Sequence, residues 1–452
     1  MSLCEQSVAI EIKRKQEMLT MKKTSQVRFG SVRNILFVHY GDQWIRGSEV
    51  CLLNLMTSLS NKFNPILWTN NDALHQRTIE ENIQSHYEEF SVLFGWLSPK
   101  LDFSATWQLV RQACSFIREY DIQLIHVNSA APNQWVVLAA YLMRVPLTTQ
   151  LHCHYNLRDR AGLLLHLCPH IITVSKAVSL GMLQDGYPSS QLSVIYNGVA
   201  HHHHHHHSAS SLPLSVKEKL AIPQCDQVLI SVGSLIVRKG FDRLIHALHA
   251  LSNKAGEGPN VHLVIIGDGP CRKPLSSLVR RLKLEHLIHF VGEQSNVQHW
   301  LAGGCDAFIS GARSEAFGLV LIEAAFAKLP IIAPNVGGIP EVIHDQQSGI
   351  LYDSSQSEDG IAHAISQVLQ NKKYAKMLAN NAFERANTHF SLEANTNAIE
   401  SLYDSILSRR SAVHQSRVTQ LSRVISALYR PVRTFLISRF KHLATPKTEV
   451  MS

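Results

Sequence analysis

The segment DAFISGARSEAFGLVLIEAAFAKLPIIAPNVGG, residues 306–338, contains two short apolar stretches separated by a helical one. DAFIS is typical of a buried strand and GARSEAFG of the loop after it. Helical residues begin near Leu319, and Pro330 ends them because proline cannot continue a helix. A second strand follows at PIIAP. This order of strand, loop, helix and strand predicts parallel pairing, because parallel neighbours need a crossover between them.

The same alternation recurs along most of the chain and forms two groups, separated by a break between Val199 and Ile222. The sequence therefore predicts two α/β domains in series, with ligands beyond the carboxyl ends of the strands. The strand-like segments before the break are NILFVHYG, QLIHVNS, PLTTQLH, HIITVSKAV and LSVIYNGV, and those after it are QVLISVGSL, VHLVIIGDGP, LIHFVGE, DAFISGA and LPIIAPNVGG.

The break contains seven consecutive histidines, residues 201–207. The tract is either a metal-binding segment or a low-complexity stretch of an interdomain linker. We interpret it as a linker, because composition alone does not supply the geometry of a metal site.

The composition is that of a globular protein, with 45% hydrophobic and 17% charged residues. The eight cysteines form no CxxC pair and no secretory signal opens the chain, so we expect reduced thiols in a cytoplasmic setting. The residues from Arg409 onward include nine basic side chains and one acid, which equals the whole net charge of +8. A nucleic-acid enzyme usually carries its basic residues across its working face, so that class is disfavoured.

The loop before the helix of residues 306–338 has the features of an anion site. Gly318 allows a ligand to approach the backbone, and the N–H groups of Phe317, Gly318, Leu319 and Val320 are expected to point outward at the helix N-terminus. Glu315 and Glu323 flank this site on different faces, where their carboxylates could accept hydrogen bonds from hydroxyl groups on either side of a diphosphate. The alternative is a surface helix with two solvated glutamates.

The segment SEAFGLVLIEAAFAKLPIIAPNVGGIPEVI resembles the signature of family 4 glycosyltransferases, a retaining group with the GT-B fold. That signature has two glutamates separated by seven residues, matched by Glu315 and Glu323, and then a Gly-Gly-x-x-Glu loop, matched at residues 337–341. VGSLIVRKGFDRLI, VIIGDGP, VIYNGV and RGSE match further family segments in the same order, from about Asn34 to about Ser408. The resemblance implies two Rossmann-like parallel-sheet domains that face a central cleft.

The resemblance also implies roles for individual residues. Glu315 would contact the donor sugar, Glu323 would hold the ribose hydroxyls, and the positive charge of Lys239 would stabilise the departing diphosphate. One position departs from the family pattern, because Ser234 stands where an arginine is common. Arg238, next to Lys239, is a candidate for the missing charge.

In the N-terminal half, the resemblance assigns Gly47 to backbone contacts with the phosphate or the acceptor. Arg46 stands where the family has another glycine. The family also has a histidine near the donor sugar, and His152 matches it better than His154. The alternative for both residues is a structural histidine.

These inferences divide the chain into six parts. We expect an extension, an acceptor domain, a His-rich linker, a nucleotide-sugar donor domain, a helix crossing back to the first domain and a basic tail. Their predicted bounds are, in that order, 1–33, 34–199, 200–222, 223–390, 391–408 and 409–452.

The function that the resemblance implies is transfer of a hexose from a nucleotide-diphosphate sugar, with retention at the anomeric carbon. The acceptor would be a saccharide or a lipid-linked saccharide of surface polysaccharide or lipopolysaccharide biosynthesis. No metal is expected, since no DxD-type site stands in a suitable place and a helix N-terminus with a lysine can replace the ion. The main alternative is a catalytically silent relative that binds a sugar nucleotide or a partner. Another alternative is a different GT-B enzyme, such as a sugar-nucleotide epimerase or a phosphorylase, although a phosphorylase would need a cofactor-lysine site that the sequence does not show. A dinucleotide-dependent oxidoreductase is disfavoured because no G-x-G-x-x-G fingerprint is present.

The basic tail has apolar residues at mostly helical spacing, with arginines between them and an interruption at Pro431. This pattern favours an amphipathic segment on an anionic membrane surface, which would make the enzyme peripheral on the cytoplasmic face. The alternative is a helix packed on the N-terminal domain or on another subunit.

Overall fold

The computed structural model describes residues 32–93, 101–200, 215–254, 259–353 and 358–412. Residues 1–31 of the predicted extension, the histidine tract and residues 413–452 of the predicted tail lie outside these ranges. The predicted roles of these three segments therefore stay predictions, as do the bounds of the six parts.

Seven strands form the first sheet, and every neighbouring pair in it is parallel. They are β1 (Arg33–His39), β2 (Phe63–Thr69), β3 (Gln84–Tyr87), β4 (Ile122–Val127), β5 (Leu147–Leu151), β6 (Ile171–Thr173) and β7 (Leu192–Val194). Their spatial order is β3-β2-β1-β4-β5-β6-β7. The order reverses beside β1, where a doubly wound sheet forms its ligand crevice.

Six parallel strands form the second sheet. They are β8 (Gln227–Val232), β9 (Val261–Ile266), β10 (Ile288–Gly292), β11 (Ala307–Ile309), β12 (Ile331–Pro334) and β13 (Ile350–Tyr352). Their order is β10-β9-β8-β11-β12-β13, with the reversal beside β8. The predicted fold class, two Rossmann-like parallel-sheet domains of the GT-B type, is confirmed.

Fifteen α-helices are present in the described residues. Those before the break are α1 (Gly47–Ser58), α2 (Asp72–Glu80), α3 (Phe103–Glu119), α4 (Asn133–Met143), α5 (Leu157–Gly162) and α6 (Lys176–Gln184). Those after it are α7 (Val216–Lys219), α8 (Phe241–Lys254), α9 (Arg272–Arg281), α10 (Val297–Leu301), α11 (Leu319–Phe326), α12 (Ile339–Val342), α13 (Glu358–Gln370), α14 (Lys372–His389) and α15 (Leu392–Ala412).

The central strands are apolar along their whole length because helices cover both faces of each sheet. Residues 35–38 of β1 and 228–230 of β8 are completely or almost completely buried. Helix α11 begins at Leu319, as predicted, but it ends at Phe326, before Pro330, because Lys328 adopts a left-handed conformation. The chain therefore leaves the helix one turn earlier than the proline required.

Three strands were missing from the sequence interpretation. β2 contains Pro65, which demotes a strand in a sequence pattern, and its ladder with β3 begins only at Ile66. β3 is a polar edge strand of four residues, and β13 is an edge strand of three. Strands this short or this polar carry too little periodicity to be recognised.

Helix α15 returns from the second domain to the first sheet. The Tyr403 hydroxyl lies 2.7 Å from Nδ1 of His126 on β4, and both side chains are completely buried. Glu400 accepts hydrogen bonds from the backbone N–H and the hydroxyl of Ser60 at 2.6 and 2.9 Å, and Asp404 pairs with Arg33. The helix thus ties the end of the second domain to the first through one buried polar contact and two partly exposed ones.

The described part of the chain includes no helix that is both long enough and apolar enough to span a membrane.

Replacing Tyr403 by phenylalanine should lower the free energy of unfolding by about 1–3 kcal/mol, because it leaves a buried imidazole nitrogen without a partner. His126 donates from Nε2 to Oε1 of Gln150 at 3.1 Å, so Nδ1 is the acceptor of the Tyr403 hydroxyl. Burial lowers the pKa of His126 to about 3, so the ring cannot compensate by taking a proton. Thermal or denaturant unfolding measures the effect, with Tyr141→Phe on the exposed face of α4 as the control. Equal stability of the two variants would contradict the assignment.

Candidate active site

The N-terminus of α11 is the centre of the candidate site. Gly318 precedes the helix with φ = 106°, a left-handed conformation in which a side chain would be strained. Among the described residues, no acceptor takes the backbone N–H groups of Gly318, Leu319 or Val320. Three N–H groups without such acceptors therefore lie at the positive end of a helix, an arrangement that suits an anion.

The loop that follows β12 fixes the backbone before α11. A Cβ at Gly337 would overlap the carbonyl oxygen of Glu315, and a Cβ at Gly338 would overlap that of Ala316. The Gly338 N–H also donates to the Glu315 carbonyl at 3.0 Å. Two glycines are therefore required here for close backbone approach, a reason that the motif alone did not reveal.

The same loop connects the two domains. The Glu341 carboxylate accepts hydrogen bonds from the backbone N–H groups of Lys176 and Ala177, at 2.8 and 2.9 Å, and so caps α6 of the first domain. Tyr196 donates to the same carboxylate at 3.2 Å. Ser175 donates from its hydroxyl to the carbonyl of Ala316 at 2.6 Å. The residues beside the anion site are therefore held from the opposite domain as well.

Two cations converge on Glu315. Lys239 Nζ lies 2.5 Å from Glu315 Oε2, and a guanidinium nitrogen of Arg238 lies 3.7 Å from the same oxygen while donating to the Ser314 carbonyl at 3.0 Å. Ser234 lies in the loop after β8, half-buried. The sequence interpretation assigned Lys239 and Glu315 to different parts of the donor and did not foresee their ion pair.

Glu323 lies one turn into α11 and is half-buried. Burial raises the pKa of its carboxyl to about 7. Among the described residues its side chain has no hydrogen-bond partner, in contrast to Glu315. A carboxylate in such a position stays costly until a hydrogen-bond donor reaches it.

Helix α1 of the first domain faces α11 across the cleft. A Cβ at Gly47 would lie 3.1 Å from Leu319 Cδ1, so the N-termini of both helices approach the same space. Phe317 turns its ring away from that space, stacking on Tyr196 with a 5.7 Å centroid distance and an interplanar angle of 13°. Only the backbone of Phe317 can therefore contribute to an anion site.

Behind Gly47, the first domain buries a carboxylate–imidazole pair. Glu49 Oε1 lies 3.1 Å from His39 Nε2. Burial alone would raise the pKa of Glu49, but the contact with His39, together with the backbone N–H groups of Glu49 and Arg46, lowers it to about 2. Glu49 is therefore ionised throughout the physiological range.

The orientation of the Asn128 amide determines the tautomers of two histidines. Its nitrogen lies 3.3 Å from the Ser48 carbonyl oxygen, which can only accept, and 3.2 Å from His39 Nδ1. His39 therefore accepts at Nδ1 and carries its proton on Nε2, towards Glu49. The amide oxygen lies 3.0 Å from His152 Nε2, so His152 donates from Nε2 and keeps a lone pair on Nδ1. Burial and the nearby His39 lower the pKa of His152 to about 4, which keeps the ring neutral at pH 7.

A cavity of about 280 Å³ opens beside the exposed His154, between the end of β5 and α6. Arg160 lines it, but its guanidinium is paired with Asp185 at 2.6 and 2.8 Å, and His166 contacts the same carboxylate at 2.9 Å. The charge of Arg160 is thereby neutralised, so the cavity suits an uncharged polar group.

The described residues contain no group of three or more His, Cys, Asp or Glu side chains arranged to hold a metal ion. The expectation of a metal-free site stays a prediction.

The structure brings the predicted residues Gly47, Glu315, Gly318 and Lys239 to one cleft, with Glu323 one helical turn away. The sequence interpretation missed His39 and Asn128. His39 ends β1 and Asn128 follows β4, so both lie at the carboxyl edge of the first sheet. That position was the signal from which the sequence could have identified them as site residues.

Models of two protein families match the chain. The model described as Glycosyltransferase Family 4 matches residues 45–203, and the one described as Glycosyl transferases group 1 matches residues 215–385. A lipopolysaccharide core biosynthesis glycosyltransferase of Rhizobium meliloti, LpsD, is 30% identical over 387 residues, which cover 83% of this chain and 99% of the relative. An uncharacterized glycosyltransferase of Methanocaldococcus jannaschii is 28% identical over 214 residues, 47% of this chain and 54% of the relative's length.

Among solved structures, Anabaena HepE in complex with UDP-glucose superimposes with a TM-score of 0.67 at 22% identity, over 82% of this chain and 99% of that one. This likeness shows the fold. Because both family models match and the identity to the Rhizobium protein extends along nearly its whole length, the chain belongs to glycosyltransferase family 4 and has the GT-B fold.

Proposed function

We propose that this protein transfers a hexose from a nucleotide-diphosphate sugar to a saccharide or lipid-linked saccharide, with retention of the anomeric configuration. The observation that carries the proposal is the N-terminus of α11. Three N–H groups without acceptors among the described residues lie there, with Lys239 and Glu315 on one side and Glu323 on the other. A nucleotide sugar has the matching order of ribose, diphosphate and hexose.

In this proposal the diphosphate binds the N–H groups of Gly318, Leu319 and Val320. The ribose hydroxyls donate to Glu323, whose carboxylate has no hydrogen-bond partner among the described residues. The hexose then lies towards Glu315. The bound UDP-glucose of Anabaena HepE, a protein of the same fold, supports a ligand of this class.

Departure of the diphosphate develops negative charge, which Lys239 and the helix N-terminus stabilise. Lys239 is neutralised by Glu315, whose Oε2 lies 2.5 Å from the Lys239 ammonium nitrogen. A bound diphosphate competes with Glu315 for the ammonium group, leaving that carboxylate free to accept hydroxyl groups of the hexose. No metal is required for this charge stabilisation, and an oxygen of the leaving phosphate accepts the proton of the acceptor hydroxyl.

His152 acts as a neutral hydrogen-bond acceptor towards the donor sugar. Its proton is held on Nε2 by Asn128, so the lone pair on Nδ1 is available to a sugar hydroxyl. Glu49, through His39 and Asn128, maintains this tautomer.

The name of the Rhizobium relative supports an acceptor in lipopolysaccharide or other surface-polysaccharide biosynthesis. Such acceptors are assembled at membranes, and attachment through the basic tail would place the enzyme beside them. We therefore include peripheral attachment to an anionic membrane in the proposal.

The substitution Glu323→Gln should have opposite effects on the empty and the loaded protein. Because the pKa of Glu323 in the folded protein is about 7, above its ordinary value, ionisation costs folding free energy as the pH rises from the unfolded-state pKa to about 7. The variant should be more stable than the wild type by about 1–3 kcal/mol near pH 8 and by less near pH 5. The rise in melting temperature that a matching nucleotide sugar causes in the wild type should be lost.

A thermal-shift panel of nucleotide sugars at both pH values measures these effects, with the exposed Glu384→Gln of α14 as the matched control. A donor-induced shift that survives in Glu323→Gln would refute the ribose assignment. No shift in the wild type with any donor would favour the silent relative. With the donor that shifts the wild type, the anomeric configuration of the product, read by NMR, tests retention.

The substitution Asn128→Asp should move the acidic limb of the pH–rate profile upward by about one pH unit or more, because a carboxylate beside Nε2 raises the pKa of His152. Asn128→Ala should lower kcat without that movement, since the tautomer is then no longer held. Asn253→Asp on the exposed face of α8 is the charge control. A purely structural role for Asn128 would reduce kcat equally in both variants and leave the limb in place.

Removal of residues 413–452, with α15 left intact, should release the protein from vesicles containing anionic lipid and leave its melting temperature unchanged. Cosedimentation with anionic and with neutral vesicles measures the attachment. An unchanged bound fraction after truncation would contradict a membrane role for the tail.

A further inference from the structure

The loop between β1 and α1 presents a tryptophan and an arginine at the mouth of the cleft. The Arg46 guanidinium lies over the Trp44 ring at 4.1 Å from its centroid, a stacked cation–π contact. With one face covered in this way, Trp44 still has 47% of its surface exposed. The opposite face of the ring is therefore available to a ligand. We refer to these two side chains as the Trp44–Arg46 platform.

Hydrogen bonds to the loop after β2 hold the platform in place. Asn71 donates from its amide to the Trp44 carbonyl at 2.8 Å, and Gln43 donates to the Asn70 carbonyl at 2.7 Å. Asn70 also exchanges two hydrogen bonds of 3.0 Å with the backbone of Gly41. An exposed tryptophan on a loop anchored in this way is preorganised, so a ligand would lose little affinity to ordering.

The Arg46 side chain does not cap the helix at whose start it stands. It occupies the N-cap position of α1, where Ser, Thr, Asp, Asn or Gly are preferred and where the helix dipole disfavours a cation. Within the part of the chain that the structure describes, it forms no ion pair. Glu49 Oε2 accepts only from its backbone N–H, at 3.1 Å. A cation that neither caps its helix nor pairs with a carboxylate among the described residues is a candidate for binding an anionic ligand.

The platform adjoins the transfer site. Arg46 is bonded to Gly47, which packs against Leu319 at the N-terminus of α11. Arg160, in the cavity beside His154, is already neutralised by Asp185. Of these two guanidinium groups, Arg46 is the one left with its charge available.

We propose that the Trp44–Arg46 platform binds an acceptor sugar that carries an anionic group. The apolar C–H face of a pyranose ring stacks on the open face of Trp44, and the guanidinium of Arg46 binds a carboxylate or a phosphate on the same or the neighbouring sugar. This inference rests on the proposed function, whose acceptor it narrows to an acidic saccharide.

Titration calorimetry of the full chain with three hexoses that differ only at C6 tests the platform without donor or turnover. The probes are glucose, glucuronate and glucose 6-phosphate. At least one anionic probe should bind at least about fivefold more tightly than glucose. This preference should weaken as salt is added. A preference for glucuronate identifies a carboxylate as the ligand, and one for glucose 6-phosphate identifies a phosphate.

The variant Arg46→Gln should abolish the preference but leave the affinity for glucose unchanged, whereas Arg111→Gln on the exposed face of α3 should preserve the preference. Trp44→Leu should weaken the binding of all three sugars. Trp107→Leu, which replaces an exposed tryptophan of α3, should weaken the binding of none.

Two results would overturn the proposal. One is an absence of preference in the wild type, including an absence of measurable binding. The other is a preference that survives in Arg46→Gln. Because these titrations contain no donor, their failure leaves the donor-induced melting shift untouched, so the two proposals fail separately.

Discussion

The close approach of two peptide backbones is the constraint on which the site depends. Gly337 and Gly338 lie so near the carbonyl oxygens of Glu315 and Ala316 that any side chain at either position would collide with them. This contact fixes the backbone immediately before α11 and therefore the position from which the Glu315 side chain extends. Three residues later Glu341 caps α6 in the other domain. One loop thus positions the anion site and joins it to the opposite half of the molecule.

The cleft holds side chains in charge states that differ from those in water. Glu323 keeps a proton up to about pH 7, His152 is neutral with a pKa of about 4, and Glu49 is ionised down to about pH 2. Burial causes the pKa shifts of Glu323 and His152. At Glu49 the contact with His39 outweighs burial and lowers the pKa instead. Among the described residues, the Glu323 carboxylate lacks a hydrogen-bond donor and the N–H groups at the start of α11 lack acceptors, and both are energetically costly. A ligand that carries both hydroxyls and phosphates supplies the missing partners of both.

The two domains contribute different kinds of group to the cleft. The second domain supplies backbone N–H groups, carboxylates and Lys239, which suit a nucleotide sugar. The first supplies a neutral imidazole, an uncharged cavity and the Trp44–Arg46 platform. The platform differs from the other first-domain groups because its positive charge has no carboxylate partner in the described residues. A division of this kind fits a transfer reaction, in which one domain holds the leaving group and the other selects the acceptor.

The periodicity of the sequence was sufficient to predict two parallel α/β domains, because buried strands and amphipathic helices differ in their apolar spacing. The sequence around Gly318 likewise predicted outward-facing N–H groups at the start of α11, since helix geometry is local. β2, β3 and β13 were not predicted, because a proline in β2, polar residues in β3 and the short length of β13 weaken that pattern.

What the sequence by itself determined were the features with a local cause: the fold class, the start of α11 and the candidate glutamates. Only the tertiary structure decided that Lys239 pairs with Glu315, that Glu341 caps a helix of the other domain, and that Asn128 sets the proton of His152. These contacts join residues 24 to 165 positions apart. Their formation depends on how the sheets and loops pack, and no spacing along the chain encodes that packing directly.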